Sequence, residues 1–306
     1  MIPPGHIAMK IRANGIDIEV EDTGAAQAAQ TPRPVVLLIM GLGMQLVAWP
    51  PQLVQALVNA GYRVIRFDNR DIGLSQHFDQ LGKPNLVWEV LKLKMGMKVR
   101  PPYTLQDMAQ DALGVLDALA VGQAHVVGVS MGGMIAQRVA IAAPKRVLSL
   151  TSIMSSSGAR GLPQAKSEVM RAMLSRPAGK DPQAVLRHYV HLFKAIGSPA
   201  FPIDEASMRE RILAGIERSF HPVGTLRQMM AIAADTGRPQ ELSGITNRTL
   251  VLHGRADPLV PFPCGEDTAR RIPGARLVGI DGMGHDLAPG VVERLLPPMV
   301  AHLQAA

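Results

Sequence analysis

Short apolar runs recur along this chain, and longer segments with the spacing of amphipathic helices separate them. Every residue of Val35–Met40 is apolar, which is typical of a parallel strand covered on both faces. Similar runs predict strands at Arg63–Phe67, His125–Val129, Arg146–Ile153, Thr249–His253 and Ala275–Ile280. Between them, the pattern predicts helices at Trp49–Ala60, Tyr103–Leu119, Met134–Ala143, Pro263–Ile272 and Pro289–Leu303. This alternation predicts an α/β fold with a mostly parallel sheet and right-handed crossovers.

The N-terminal part has a different pattern. Ile7–Ile11 and Ile16–Val20 flank Asn14-Gly15, a favoured two-residue turn, and therefore predict a β-hairpin. Ala25–Pro34 is rich in small residues and proline, and we interpret it as a linker that leads into the first parallel strand.

The alternation of strands and helices breaks between about Ser155 and Leu242. Four helical segments are predicted there, with prolines and glycines between them and no convincing strand. They are Gln164–Leu174, Pro182–Ile196, Asp204–Phe220 and Pro222–Ala234. We interpret the stretch as a helical insertion that lies on the sheet.

Composition narrows the class of protein. Of the 306 residues, 47% are hydrophobic and 19% are charged, which is typical of a folded globular protein. No apolar run reaches the ~18–20 residues of a membrane-spanning helix, so we expect no stable membrane insertion. The net charge of +7 indicates a solvated basic surface rather than a nucleic-acid site, because only 4% of the residues are aromatic.

Two features bear on the cellular compartment. The first residues lack the charged-then-apolar layout of a signal peptide. Cys264 is the single cysteine, which excludes an internal disulfide. We therefore expect a cytoplasmic protein, and the sequence is compatible with a monomer or a homo-oligomer.

The segment Gly128-Val129-Ser130-Met131-Gly132 lies between a predicted strand and a predicted helix. A serine with glycine two positions away on either side, on a strand-to-helix turn, is the pattern of a nucleophile elbow. The turn is so tight that glycine is favoured at both flanking positions, and its strain lifts the hydroxyl clear of the sheet. We predict that Ser130 is a nucleophile.

A serine hydroxyl needs a general base, and the base needs an orienting carboxylate. His285 is the predicted base, because it lies in a glycine-rich loop after the last predicted strand, where parallel sheets carry their chemistry. Asp257, on the turn after the preceding strand, is the predicted acid. Its competitors are Asp267 and Asp281, which also suit helix caps, and Asp286, which adjoins the histidine.

An oxyanion hole needs two backbone N–H donors aimed at one point. We predict Met131, directly after the nucleophile, and Leu42, in the loop after Val35–Met40. The glycines beside Leu42 allow the backbone to approach a carbonyl group. The predicted pocket residues are Gly41, Gly43, Met44 and Met154. For the methionines, filling the core is an equally good interpretation.

The remaining histidines give no clear site. His125 begins a strand, and His253 ends the strand before Asp257. His188 and His191 have a spacing that suits a metal, but no carboxylate or cysteine nearby completes a ligand set. We predict no metal and no cofactor.

These motifs together resemble the α/β-hydrolase superfamily. Asp68–Ser75 is similar to the family's Asp-x-Arg-x-x-Gly-x-Ser loop, and Gly254–Pro261 and Gly284–Asp286 are similar to its acid and histidine loops. Met40–Met44, followed by Trp49-Pro50, resembles the esterase branch that includes aclacinomycin methylesterase-like proteins. The resemblance covers nearly the whole chain and implies an α/β-hydrolase fold.

The resemblance also implies a helical cap at about residues 156–240, on a core formed by residues 1–155 and 241–306. Serine rather than aspartate at the elbow implies acyl transfer through an ester on Ser130. We therefore expect a serine hydrolase that cleaves a small-molecule carboxylic ester. The alternatives are a carbon–carbon bond hydrolase or a cofactor-free haloperoxidase-like enzyme with the same triad, or a non-catalytic small-molecule receptor.

One further segment, Leu86–Lys98, mixes apolar residues, a tryptophan and lysines. It predicts either an amphipathic flap at the pocket or a lipid interface, or an ordinary connecting helix. We favour the connecting helix, because the segment is short and Gly96 interrupts it.

Overall fold

A computed structural model of the chain describes residues 7–24, 33–85, 99–179 and 181–306, and residues 88, 89, 92, 95 and 97. Most of the predicted linker and most of the segment Leu86–Lys98 lie outside the described residues. Among the helices in the described ranges, none has the length and apolar character that a membrane crossing requires.

Eight strands form one sheet. They are β1 (Ile7–Ala13), β2 (Ile16–Asp22), β3 (Val35–Ile39), β4 (Arg63–Phe67), β5 (Ala124–Val129), β6 (Val147–Ile153), β7 (Arg248–Gly254) and β8 (Arg276–Ile280). Their order across the sheet is β1-β2-β4-β3-β5-β6-β7-β8. β2 pairs antiparallel with β1 and β4, and every other neighbouring pair is parallel. The hairpin and the mostly parallel sheet predicted from the sequence are confirmed.

Ten α-helices lie in the described ranges. They are α1 (Pro51–Asn59), α2 (Leu105–Ala118), α3 (Met131–Ala142), α4 (Ser167–Leu174), α5 (Pro182–Ile196), α6 (Glu205–Arg218), α7 (Pro222–Ala234), α8 (Arg238–Glu241), α9 (Phe262–Arg271) and α10 (Pro289–Gln304). Helix starts follow local chemistry. The Asp181 side chain accepts a hydrogen bond from Ala184 N–H (2.9 Å), and Pro182 occupies the first position of α5.

Helices cover both faces of the sheet, which explains the apolar run of β3. Val35, Leu37 and Ile39 belong to the apolar cluster that includes residues of α2 and α3. Val36 and Leu38 belong to the cluster on the other face, with residues of α1 and α10. All five residues are buried, because a central parallel strand has no solvent-facing side.

The sheet topology brings four loops to one edge. β3, β5, β6, β7 and β8 run parallel, so their carboxyl ends lie along the same edge. The predicted nucleophile follows β5, the predicted acid follows β7 and the predicted base follows β8. The glycine loop that follows β3 is next to β5, because those two strands are paired. Open α/β sheets bind their ligands at such an edge.

A helical insertion separates β6 from β7, as predicted. Its described residues form α4 to α8 and contain no strand. The insertion has a small apolar cluster of its own, made of Leu186, Val190 and Met208 with partly buried neighbours. Most of the buried apolar residues of the described chain instead belong to the two clusters on the sheet.

A buried arginine joins the two ends of the insertion. Arg238 is only 1% exposed, and its Nη1 donates to Ser156 O (2.8 Å) at the start of the insertion. Its Nε donates to Asp235 Oδ2 (2.6 Å), and Nη1 also donates to the side chain of Gln137 in α3. The first and last residues of the insertion therefore lie beside each other, before the chain continues to the start of β7 at Arg248.

Candidate active site

The elbow between β5 and α3 holds Ser130 in a backbone conformation that is rare for residues with side chains. Ser130 has φ 55° and ψ −120°. A Cβ atom at Gly128 would lie 2.1 Å from Gly132 O, and one at Gly132 would lie 2.0 Å from Ile39 O. Glycine at both positions is therefore required by the close approach of the backbone.

Hydrogen bonds from the end of β6 hold this strained turn. Ser130 N–H donates to Ile153 O (2.9 Å), and Ser155 Oγ donates to Ser130 O (2.7 Å). Helix α3 begins at Met131, three residues before the predicted start at Met134. The helix includes Gly132 and Gly133 although glycine lowers helix propensity, and a side chain at either position would collide with its neighbours.

Ser130, His285 and Asp257 form a continuous chain of hydrogen-bonded side chains. His285 Nε2 lies 3.0 Å from Ser130 Oγ, and His285 Nδ1 lies 2.7 Å from Asp257 Oδ2. The imidazole and the carboxylate are buried, and the serine is half-buried. A proton on Nδ1 satisfies the carboxylate and leaves the Nε2 lone pair facing the serine hydroxyl.

The carboxylate of Asp257 is fixed by its own turn. Its Oδ1 accepts hydrogen bonds from Leu259 N–H (2.9 Å) and Val260 N–H (2.8 Å), which leaves Oδ2 for the imidazole. The three competing carboxylates bind other partners. These are Ser198 for Asp286 (2.6 Å), Arg255 for Asp281 (3.1 Å), and Arg270 (2.5 Å) and Arg271 (2.6 Å) for Asp267.

A second buried histidine lies beside this carboxylate. His253 Nε2 donates to Val260 O (2.7 Å) and lies 3.6 Å from Asp257 Oδ2. Burial lowers the pKa of His253, so the ring stays neutral near pH 7. The neutral ring holds the turn that carries Asp257 and places no positive charge beside the carboxylate.

The glycine loop after β3 lies against the serine. A Cβ atom at Gly41 would lie 3.2 Å from Ser130 Cβ. Met44 N–H donates to Gly41 O (3.2 Å) and closes a turn in which Gly43 has φ 68°. The N–H groups of Leu42 and Met131, the predicted oxyanion donors, have no acceptor within the part of the chain that the structure describes.

The two methionines predicted for the pocket pack with the core. Met154 is 2% exposed and belongs to the apolar cluster shared with α1 and α10, and the half-buried Met44 packs against the same cluster. Their position agrees with the core-filling interpretation, and their contact with a substrate stays a prediction.

The insertion binds both sides of this arrangement through contacts that no motif in the sequence predicted. On the histidine side, Ser198 Oγ accepts a hydrogen bond from Gly284 N–H (2.8 Å), and His285 N–H donates to Ile196 O (2.7 Å). On the glycine-loop side, Gln228 Oε1 accepts a hydrogen bond from Gly43 N–H (3.0 Å). These pairings depend on where α5 and α7 sit on the sheet.

The Asp68–Ser75 motif after β4 also binds the insertion. Asp68 accepts hydrogen bonds from Leu46 N–H (2.7 Å) and from Arg218 Nη1 (2.6 Å). Asp71 forms a two-point pair with Arg227, with Nε–Oδ2 at 2.8 Å and Nη2–Oδ1 at 2.7 Å. The motif therefore links the core to α6 and α7.

One group in the described residues could hold a metal by proximity: His77, Asp79 and His221. The two imidazole rings are stacked, with centroids 3.9 Å apart and an angle of 8° between planes. A metal lies in the plane of each imidazole that binds it, and two nearly parallel planes do not meet at one ion. Arg227 Nη2 also lies 3.1 Å from His221 Nε2. The geometry favours a hydrogen-bonded network over a metal site.

Comparison with known proteins places this chain in a family. Residues 34–288 match the family model described as alpha/beta hydrolase fold. The chain belongs to the alpha/beta hydrolase fold family. The family membership and the fold predicted from the motifs are therefore confirmed.

Relatives of this alpha/beta hydrolase include two methylesterases. The chain is 32% identical to rhodomycin D methylesterase DauP from Streptomyces sp. (strain C5), over 95% of this chain and 96% of the relative. It is 33% identical, with the same two coverages, to rhodomycin D methylesterase DnrP from Streptomyces peucetius. The resemblance to methylesterase-like proteins is confirmed. Among solved structures, a meta-cleavage product hydrolase from Pseudomonas fluorescens IP01 has a TM-score of 0.74 at 21% identity, with 98% of each chain covered.

Proposed function

We propose that this chain is a serine esterase that hydrolyses carboxylic esters through an acyl-enzyme intermediate. The observation that carries the proposal is the hydrogen-bonded chain from Asp257 Oδ2 through His285 to Ser130 Oγ, with distances of 2.7 Å and 3.0 Å. In the proposed roles, Ser130 is the nucleophile, His285 the general acid and base, and Asp257 the group that orients the imidazole.

In the acylation step, Ser130 Oγ attacks the ester carbonyl carbon while its proton moves to His285 Nε2. The negative oxygen of the tetrahedral intermediate accepts hydrogen bonds from Leu42 N–H and Met131 N–H. When the intermediate collapses, the bond to the alcohol oxygen breaks, and that oxygen takes the proton from His285 Nε2. The alcohol leaves, and the acyl group remains on Ser130.

Water completes the cycle. His285 Nε2 takes a proton from water as the water oxygen attacks the acyl carbonyl carbon. Collapse of the second intermediate breaks the bond to Ser130 Oγ, which recovers its proton from His285. The carboxylic acid leaves, and no cofactor takes part in either half of the reaction.

The relatives support an ester as the bond that is cleaved, and their names indicate the alcohol part of that ester. Two of them, each more than 30% identical over nearly the whole length, bear the name methylesterase. We therefore include methyl esters in the proposed substrate class, beside esters of small to medium apolar acids and alcohols. In this proposal residues 156–240 act as a cap that selects substrates, on a core of residues 1–155 and 241–306.

The test is hydrolysis of methyl and 4-nitrophenyl esters of increasing acyl length. Ser130→Ala should lower kcat/KM by at least about 10⁴-fold, and Asp257→Asn by about as much, because the wrong imidazole tautomer would face the serine. Ser243→Ala and Asp281→Asn, at exposed positions outside the hydrogen-bonded chain, are the matched controls. An organophosphate should label Ser130 alone.

Three outcomes would contradict the proposal. Hydrolysis of esters that survives Ser130→Ala would exclude the nucleophile. Turnover of a vinylogous diketone with no turnover of any ester would favour a carbon–carbon bond hydrolase. Tight binding of an ester that the wild-type protein never cleaves would favour a receptor.

A further inference from the structure

A glutamine of the insertion connects two loops of the core. Gln228 lies in α7 and is fully buried. Its Oε1 accepts a hydrogen bond from Gly43 N–H (3.0 Å), and its Nε2 donates to Arg70 O (2.9 Å). One side-chain amide thus joins the loop after β3 to the loop after β4. A buried amide with both ends paired is costly to disturb, because either loss leaves a buried polar group unsatisfied.

The Gly43 N–H belongs to the turn that carries the predicted oxyanion donor. Gly41 O accepts from Met44 N–H (3.2 Å), so Leu42 and Gly43 are the two central residues of a turn. Only Gly43 of these two has a positive φ, 68°, which is typical of a type II turn. A type II turn differs from a type I turn by a flip of the central peptide plane. The flip would turn Gly43 N–H away from Gln228 and put the Leu42 carbonyl oxygen in its place.

A second contact of α7 holds the same glycine. A Cβ atom at Gly43 would lie 2.9 Å from Thr225 Oγ1, so the helix backs directly onto the turn. At the start of the same turn, Gly41 lies against Ser130. The turn is therefore held between the nucleophile and the insertion, and Gln228 supplies the hydrogen bond to its central peptide plane.

We infer that Gln228 is a positioning residue for the oxyanion hole. It binds the N–H group of Gly43, keeps the turn in one form and leaves Leu42 N–H to face the ester oxygen. The oxyanion hole is then complete only when α7 is packed against the core. This inference rests on the proposed esterase function.

Gln228 has no role as a substrate contact in this arrangement. Its oxygen and its nitrogen both bind main-chain groups of the core, and its side chain is shielded from solvent. Its loss should therefore affect the transition state, in which the oxyanion forms, more than the binding of the neutral ester.

The main test compares Gln228→Met with Gln240→Met, the same change at an exposed glutamine. We expect Gln228→Met to lower kcat by about 10- to 100-fold, somewhat less than the loss of a direct oxyanion donor, while KM changes less than about twofold. Inhibition by a trifluoromethyl ketone, which forms an oxyanion on the serine, should weaken by the same factor as kcat. Gln240→Met should match the wild type.

A conservative variant and a direct probe of the turn complete the test. Burial favours the protonated form of the side chain in Gln228→Glu, which keeps an acceptor for Gly43 N–H and a donor for Arg70 O, so this variant should retain more activity than Gln228→Met. Exchange of the Gly43 amide hydrogen, followed by NMR, should be slow in the wild type and in Gln228→Glu, and fast in Gln228→Met. If Gln228→Met does not fold, the glutamate variant tests the link between amide protection and kcat.

The inference is overturned by a folded Gln228→Met variant with the kcat of the wild type, or by a change confined to KM. It is also overturned if Gln228→Glu loses protection of the Gly43 amide but keeps full turnover. Either result is distinct from failure of the proposed function, which would appear as ester hydrolysis that does not depend on Ser130.

Discussion

The sheet and the helical insertion are stabilised in different ways. Each face of the sheet carries a large cluster of buried apolar side chains, and β3 contributes to both clusters. The insertion has a cluster of three buried apolar residues. Its attachment to the core includes buried polar contacts, such as those of Arg227, Gln228 and Ser198, beside apolar contacts such as that of Ala231.

Different contacts therefore determine the stability of the fold and the position of the loops at the edge of the sheet. Apolar burial is roughly proportional to area and has no direction, so it stabilises the sheet without fixing details of the loops at its edge. Hydrogen bonds and ion pairs are directional, and those of the insertion end on the loops that carry the proposed catalytic groups. We expect damage to the sheet to lower global stability, and damage to the polar contacts to disturb the site first.

The largest effect should come from the buried ion pair between the insertion and the β4 loop. Both Arg227 and Asp71 side chains are fully buried. Burial alone would raise the pKa of the Asp71 carboxyl, but hydrogen bonds from Arg227 and from Phe78 N–H outweigh it and lower the pKa. Arg227→Met removes the partner of a buried charge and should cost about 3–5 kcal/mol in the free energy of unfolding, measured in urea.

A second substitution tests whether the unpaired charge causes this loss. Arg227→Met combined with Asp71→Asn removes the charge, and asparagine tolerates the left-handed conformation of this residue, φ 71°. The double variant should recover most of the lost stability. A double variant no more stable than Arg227→Met would show that the methionine fails by packing and not by charge.

A smaller effect is the difference in stability cost between a leucine truncation in the sheet and one in the insertion. Leu37 in β3 and Leu186 in α5 are both almost fully buried, at 0% and 1% exposure. Leu37→Ala should cost about 4 kcal/mol, because its rigid surroundings cannot fill the cavity, and Leu186→Ala about 2 kcal/mol. Amide hydrogen exchange in α5 should proceed through openings of lower free energy than in β3. Equal costs and equal protection would remove the distinction between the two regions.

The smallest of these effects is the loss of stability at low pH that His125 causes. Burial lowers the pKa of His125 in β5 to about 4, with a further contribution from His302. The unfolded chain has a histidine pKa of about 6.5 and binds the proton first. The stabilisation is therefore complete well above pH 6.5 and is lost as the pH falls towards 4, by about 2 kcal/mol at pH 5.

His125→Gln provides the measurement, because glutamine does not titrate and can still bind Ser149, which lies 2.8 Å from the His125 ring in the wild type. The difference in unfolding free energy between pH 7 and pH 5 should shrink by that amount in the variant. An unchanged difference would assign the acid sensitivity to other groups, including the histidines of the insertion.

The sequence predicted elements well where local chemistry decides them. Arg63–Phe67 was predicted with its observed bounds, because Gly61 marks the end of the preceding helix and the apolar residues Val64 and Ile65 suit a buried strand. Pro182–Ile196 and Pro222–Ala234 also match, because each begins at a proline suited to the first helical turn. The start of α3 was predicted three residues late. Gly132 and Gly133 have low helix propensity, but the helix includes them because neighbouring groups approach too closely for any side chain there.

For the site, the sequence predicted the residues that lie on turns at strand ends. Ser130, Asp257 and His285 each follow a recognisable strand, so sheet topology brings them to one edge. The contacts of Gln228 and Ser198 could not be predicted in this way. Neither residue belongs to a motif, and their partners are main-chain groups whose location depends on how the insertion helices pack.

The bond from Arg238 to Ser156 O (2.8 Å) has a consequence for redesign. Both ends of the insertion lie beside the guanidinium group of Arg238, so the insertion is a lobe joined to the core through one narrow neck. A lobe from a homologous enzyme could be grafted at this neck without moving either strand end, provided that the arginine and its acceptors are kept. Novel selectivity could then be built on an unchanged sheet.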